Sequence, residues 1–413
     1  MTTEVTDAWG AFQTETSAVL ERVRGTLAEV VAGVPGRVTK PTELQRALRV
    51  DMNVCCKVLK VVSSPEPLAC GLHMPGIMAL RSFLKGARRA GVPEDVVGAA
   101  VEAADAFERL VNTHADDRTA FDSMISSLVD SEDASQVTFL HRRATYRSQR
   151  HLFGMHVRVQ LKCLIVQPSE QDPRLLDLAN LTGFVSLRLL RPVQTPVVLS
   201  PAYTTNDDGS ERPVRREPLV PTADQVEGVA LLPEFCSEPT MRLHSVPAAP
   251  GRVLGELFGI GVGNTAAVTC IEGHMNRRAV PRYREAGNRI GGHLAEIRMP
   301  CETLLLDLVI REDTCGPLRP TVSVCGDHIA EGRTPGTAAP WQQEPRQTVQ
   351  RLGRGASVLY TPDYPRYPEL ARHAFKHLGW DADRFDVYRC RIEYPVLPST
   401  VAMFFDLPEA PAD

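Results

Sequence analysis

The sequence predicts an α+β protein: an all-helical N-terminal region that contains two closely spaced short helices, followed by a mixed, β-rich C-terminal domain. Three observations carry this. Apolar residues recur at helical spacing through most of residues 15–150. At about Phe153 the period falls to two, so that Met155, Val157, Val159, Leu161 and Cys163 alternate with His156, Arg158, Gln160 and Lys162. Beyond that point short β-prone runs alternate with turns rich in proline and glycine, including ten prolines between Pro192 and Gly251. The expected regions are 1–65, a three-helix unit; 66–151, a helical domain or connector; and 152–413, a mixed α+β domain for sensing or oligomerisation.

The first helix is expected over 15–32, with Val19, Leu20, Val23, Leu27, Val30 and Val31 on one face and Gly33 as its stop. Next comes TKPTELQRALRVDMNVCCKVLKVVSSP, residues 39–65. Pro41 suits a first helical turn, and Glu43 suits its positive end. Leu44, Ala47 and Leu48 then recur at helical spacing. Asp51 is a natural N-cap for a second helix, whose inner face would be Val54, Cys55, Val58, Leu59 and Val62. Residues 66–74 read as a connector. A helix opened by Pro75 buries Ile77, Leu80, Phe83, Leu84 and Ala87 and shows an outer basic stripe of Arg81, Lys85, Arg88 and Arg89. Helices over 94–113 and 117–129 follow.

The pair at 39–65 resembles the helix-turn-helix of bacterial transcriptional regulators. Glu43, Leu44, Leu48, Val50 and Asp51 stand where that family has its glutamate, leucines, valine and capping residue. Gln45 and Arg49 stand where it usually has alanine and glycine, the latter in a turn of positive φ. The resemblance implies that Met52, Asn53, Cys56, Lys57 and Lys60, with Arg49 in the turn, face the major groove or flanking phosphates of duplex DNA. It also implies a homodimer. Arg37 to Lys60 holds six basic residues against two acidic ones, in a chain of net charge −4. A trihelical unit that docks a protein partner is the other reading.

No acidic residue lies between Asp133 and Glu170, whereas Arg142, Arg143, Arg147, Arg150, Arg158 and Lys162 do. This stretch is either a second anion-binding surface or a helix whose arginines pair with acids elsewhere. Its second half is expected to be a strand with one apolar and one basic face. A short helix is expected near Pro173–Leu181 and strands over Gly183–Leu190, Pro196–Leu199, Ala266–Ile271, Ala295–Met299, Thr303–Ile310 and Thr321–Val324. Thr205–Ser210 and Arg333–Arg354 read as loops. A helix over Tyr367–Leu378, stopped by Gly379, precedes a closing hairpin of Val387–Tyr394 and Thr400–Leu407.

The chemistry elsewhere is sparse. Gly259, Gly261 and Gly263 follow a β-prone run but precede another, whereas a phosphate loop needs a helix N-terminus; a glycine hairpin is expected. His373 and His377 share a helix face without a general-base glutamate or an evident third ligand. No nucleophile–base set is visible, so neither enzyme activity nor a cofactor or metal is expected, and no effector is identified. The ten cysteines are scattered in apolar runs without C-x-x-C, as in a reducing compartment. The N-terminus lacks a basic and apolar leader, and no apolar run reaches membrane-spanning length, so a cytoplasmic protein without membrane contact is expected.

Overall fold

Leucine, valine and alanine at helical spacing fold the N-terminal third into a layered set of helices. The structure is a computed structural model that describes residues 3–411 except 37, 130–131, 193–196, 202, 206–210, 214–215, 222–224, 227, 238–241, 250–251, 259, 286–288, 327–341 and 344–346. The chain divides into two units, Met1–Leu140 and His141–Asp413. The helices are α1 (Thr3–Gly33), α2 (Pro41–Leu48), α3 (Met52–Ser63), α4 (Pro67–Gly71), α5 (Ile77–Arg89), α6 (Glu94–His114), α7 (Arg118–Leu128), α8 (Glu132–Phe153) and α9 (Tyr367–Leu378). None of the described helices is long and apolar enough to cross a membrane.

Within the first unit α1 begins well before the expected residue 15 and buries Phe12, Leu20, Val23, Leu27 and Val30. Its apolar stripe belongs to one core that also holds Leu44, Leu48, Val58, Phe83, Phe107 and Phe121, so α2 and α3 share their interior with α5, α6 and α7. Residues 66–74 are more than a connector, because Pro67 starts α4. At its end a Cβ on Gly71 would meet Ile125 Cδ1 at 2.6 Å and Leu20 Cδ1 at 2.9 Å, so a larger residue there would push these two core side chains of α7 and α1 aside.

The second unit contains β1 (Met155–Pro168), β2 (Leu175–Leu189), β3 (Val197–Pro201), β4 (Tyr203–Thr205), β5 (Glu211–Pro213), β6 (Glu217–Pro218), β7 (Gln225–Val226), β8 (Val229–Leu231) and β9 (Arg242–Ala249). It continues with β10 (Arg252–Phe258), β11 (Val268–Pro281), β12 (Ile290–Ile297), β13 (Cys301–Arg311), β14 (Thr321–Cys325), β15 (Gln342–Gln343), β16 (Gln350–Arg354), β17 (Phe385–Glu393) and β18 (Ser399–Asp406). The main sheet runs β16-β17-β13-β1-β2-β11-β8-β7, with β6 also on β11. Its β1–β13 pair is parallel; β1–β2, β2–β11 and β13–β17 are antiparallel. A second sheet runs β12-β18-β14-β15, and smaller ones are β3-β10-β9 and β4-β5.

Alternation along β1 sends Val159, Leu161, Cys163 and Ile165 into a core with Tyr367, Leu370, Ala374 and Phe375 of α9. Leu164 and Val166 point the other way, into a core with Ala295 and Ile297 of β12 and Val401, Met403 and Phe405 of β18. The main sheet is thus covered by α9 on one face and by the second sheet on the other.

Several expectations are corrected here. The helix expected near Pro173–Leu181 is instead the first half of β2: its run of leucines fits either period, and pairing with β1 and β11 on both sides decides for a strand. Val387–Tyr394 and Thr400–Leu407 do not form a hairpin. β17 pairs with β13 and β16, whereas β18 pairs with β12 and β14, so residues 394–398 cross between sheets. Of the glycine segment, residue 259 lies outside the described residues, and 260–263 fall between sheets and not in a hairpin, because β10 joins β9 and β3 while β11 joins the main sheet. The stretch expected as one loop over Arg333–Arg354 ends in the edge strand β16; residues 333–341 and 344–346 of it, like 206–210 of the Thr205–Ser210 loop, lie outside the described residues. The polar face of β1 is not a continuous solvent-facing basic surface: Arg158 is exposed, but His156 and Gln160 are buried and Lys162 is half-buried. All ten cysteines are free thiols.

Candidate nucleic-acid interface

The sequence candidates gather on α2, α3 and the turn between them. Pro41 occupies the first turn of α2, and Glu43 reaches back so that Oε2 accepts the backbone N–H of Thr39 at 2.8 Å and of Lys40 at 3.0 Å. Those donors, Thr39 first, hold the Glu43 carboxyl below its usual range. Leu44 and Leu48 point into the core. The helix closes at Arg49, whose backbone is left-handed (φ 54°, ψ 48°) and whose N–H donates to Gln45 O at 2.8 Å. The sharp turn therefore forms without the glycine usual at that place.

Asp51 caps α3: its Oδ1 accepts the backbone N–H of Asn53 at 2.8 Å. Cys55, Val58 and Val61 are the buried positions of α3, with Val54, Leu59 and Val62 packed beside them. Val61 is an inward residue that the sequence pattern passed over. The opposite side carries Asn53, Lys57 and Lys60, at i, i+4 and i+7, all exposed. Met52 and Cys56 flank this stripe and are half-buried, and exposed Arg49 stands at its N-terminal end. Among the described residues, none of Arg46, Arg49, Lys57 and Lys60 has a carboxylate within 4 Å.

The basic stripe of α5 is different. Arg81 pairs with Asp105 at 3.1 Å and Glu108 at 2.7 Å, and Arg88 pairs with Glu94, which leaves Lys85 and Arg89 exposed. What α5 gives the α2–α3 pair is a seat. A Cβ on Gly86 would lie 2.9 Å from Leu48 O and 2.9 Å from Val50 Cγ1, so the turn rests directly on the helix backbone. Gly86→Val is expected to destabilise the helical unit by about 1–3 kcal/mol through overpacking. Urea unfolding followed by circular dichroism checks this; an unchanged midpoint would mean that the turn moves aside freely.

The other candidates separate from this surface. In the second unit His373 Nδ1 lies 3.3 Å from Glu234 Oε2, and its ring stands 4.5 Å from that of His377. No three His, Cys, Asp or Glu side chains among the described residues converge as metal ligands. Of the basic run after Asp133, Arg143 and Arg147 are exposed, Arg158 donates to Asp363 O at 3.0 Å, and burial lowers the Arg142 guanidinium below its ordinary value. Tyr146, buried on α8, donates from its hydroxyl to Glu302 Oε1 at 2.9 Å and lies 2.9 Å from His156 Nδ1. No known family model matches this chain, and no curated protein is similar to it.

Proposed function

We propose that the protein is a DNA-binding transcriptional regulator, with α3 as the helix that enters the major groove and the C-terminal unit as a sensing or oligomerisation domain. The observation that carries the reading is the stripe of Arg49, Asn53, Lys57 and Lys60. It is exposed, free of acidic partners among the described residues, and held by a capped helix on a tight turn. Asn53 offers an amide donor and acceptor suited to an adenine edge. Lys57 and Lys60 suit phosphate, with Arg49 at the flank and Met52 and Cys56 at the margins of the contact. One short helix reads few base edges, so a homodimer on a two-fold site is the expected form. Such a regulator works in the cytoplasm.

The test is a fluorescence-anisotropy titration of the full chain on fragmented genomic DNA at two salt concentrations, followed by selection of the preferred site. Binding is expected to weaken steeply with salt. Replacing Lys57 and Lys60 by Ala should weaken binding to all sequences and shallow the log–log salt slope by about 1–2. Asn53→Ala should cost about 1–3 kcal/mol on the selected site only. No salt-dependent binding at micromolar protein would refute the regulator reading, leaving the helical unit as a docking module for a protein partner.

A further inference from the structure

The interior of the second unit is polar where a sheet interior is ordinarily apolar. Pairing places Lys162 of β1, Thr182 of β2 and Glu272 of β11 in one row on the face that the second sheet covers. The next row holds Asn180 and His274, and the one after it Asn276. From the covering sheet His293 projects on the same side of β12 as Ala295 and Ile297, which pack on the main sheet. Gln160 lies one step along β1 from Lys162 and donates from Nε2 to Glu296 O at 2.8 Å.

These groups are withdrawn from water yet incompletely bonded. His274 is 4% exposed, Asn276 6%, His293 7% and Gln160 4%. Among the described residues, His274 Nδ1, His293 Nε2, Asn276 Oδ1 and Gln160 Oε1 have no hydrogen-bond partner. A buried polar atom left unbonded is costly, and four such atoms lie here, on β1, β11 and the covering strand β12. Burial lowers the Lys162 pKa below its ordinary value, and the nearby Glu272 and Glu296 carboxylates oppose that, Glu296 itself pairing with Arg298 at 2.7 Å. Both imidazoles are held neutral, chiefly by burial and then by the neighbouring cations, Arg216 and Lys162 for His274 and Lys162 for His293.

We propose that this stretch, centred on Lys162, His274, His293 and Asn276, is a binding site for a small oxyanion, a carboxylate or a phosphate. The lysine supplies the charge. Each neutral imidazole can present an N–H from the ring nitrogen that lacks a partner, and the Asn276 amide, turned over, presents its NH2. Charge-assisted bonds to a carboxylate or phosphate oxygen would satisfy these donors together. The site gives chemical content to the sensing role proposed for this unit and rests on that reading only for its purpose. The binding test contains no DNA, so failure of one does not decide the other.

The experiment is isothermal titration and thermal unfolding of the full chain with acetate, citrate and inorganic phosphate, against sodium chloride of equal ionic strength. At least one of the three should bind saturably and raise the melting temperature above the chloride control. Comparison of the three separates a carboxylate ligand from a phosphate ligand. Lys162→Met should weaken that binding at least tenfold, each protein being compared with its own ligand-free melting temperature. Asn276→Leu, which leaves the charge in place, should also weaken it. No response beyond chloride, or a Lys162→Met protein that binds as tightly as wild type, would overturn the proposal.

Discussion

The C-terminal unit is expected to lose stability steeply as pH falls from about 6.5 toward 4, and the helical unit is not. Three buried histidines set this. His156 is pushed down to about 4, by burial and then by Arg150 and Arg188, and His293 to about 3. His274 lies well below the ordinary value, by burial and then Arg216 and Lys162. In the unfolded chain each would titrate near 6.5. Between that value and the folded one the unfolded chain binds protons that the folded chain refuses, so acid favours unfolding. Their contribution is complete above 6.5 and is lost as pH falls to the folded values. Each pH unit in the window costs up to about 1.4 kcal/mol per histidine. At pH 5 the three together reach on the order of several kcal/mol, a large part of the stability of an ordinary domain.

Carboxylates act lower down. Asp363, held below its usual range by Arg391 and Thr361 despite its burial, and Asp313, held down by Arg311, lose their stabilising effect only as pH falls below about 3.9. The two causes therefore separate on the pH axis. Hydrogen exchange resolved to each unit, at pH 7.5 and pH 5, is the measurement. Protection should fall in β1, β11 and β12 and hold in α1 and α6, which contain no buried histidine. Equal loss in both units would show that a global charge effect, not these imidazoles, governs acid lability.

The helices were legible because their signals are local. Asp51 caps, Glu43 reaches back, Gly379 takes the left-handed φ of 69° that stops α9, and the leucines and valines repeat every three to four residues. The stripe of Asn53, Lys57 and Lys60 was legible for the same reason, since the spacing of residues on a capped helix fixes its outer face. What escaped was what depends on partners far along the chain. The leucines of 175–181 fit a helix as well as a strand until β1 and β11 flank them. Val387–Tyr394 and Thr400–Leu407 look like a hairpin because they are neighbours in sequence, but β13 and β12 claim them separately. The polar face of β1 read as a surface because alternation reveals that a strand has two faces and not what covers each. The left-handed turn at Arg49 was marked only by the family resemblance, because an arginine side chain by itself carries no sign of that conformation.

Removing the guanidinium of Arg389 is expected to cost about 3–5 kcal/mol, while removing its partner as well restores most of the loss. Asp307 is fully buried on β13, and Arg389 of β17 binds it in a bidentate fashion, Nε to Oδ1 at 2.8 Å and Nη2 to Oδ2 at 2.9 Å. Nη2 also donates to Leu359 O at 3.0 Å, and the guanidinium carbon sits 5.4 Å from the centre of the Tyr367 ring on α9. The pair ties β13, β17 and α9 together at one point in the core, and the Asp307 carboxylate drives the Arg389 pKa far above its ordinary value despite burial. Arg389→Met keeps much of the side-chain volume but leaves the carboxylate of Asp307 beside Cys163 and Tyr367 without a counter-charge. That uncompensated charge, not the lost attraction, is the source of the cost. The double variant Asp307→Leu/Arg389→Met removes both desolvated charges and should lie within about 1–2 kcal/mol of wild type. Denaturant unfolding of wild type, both single variants and the double variant closes the cycle. A single Arg389→Met loss below about 1 kcal/mol would show that water reaches Asp307, and that β13 and β17 are held by their ladder and apolar contacts alone.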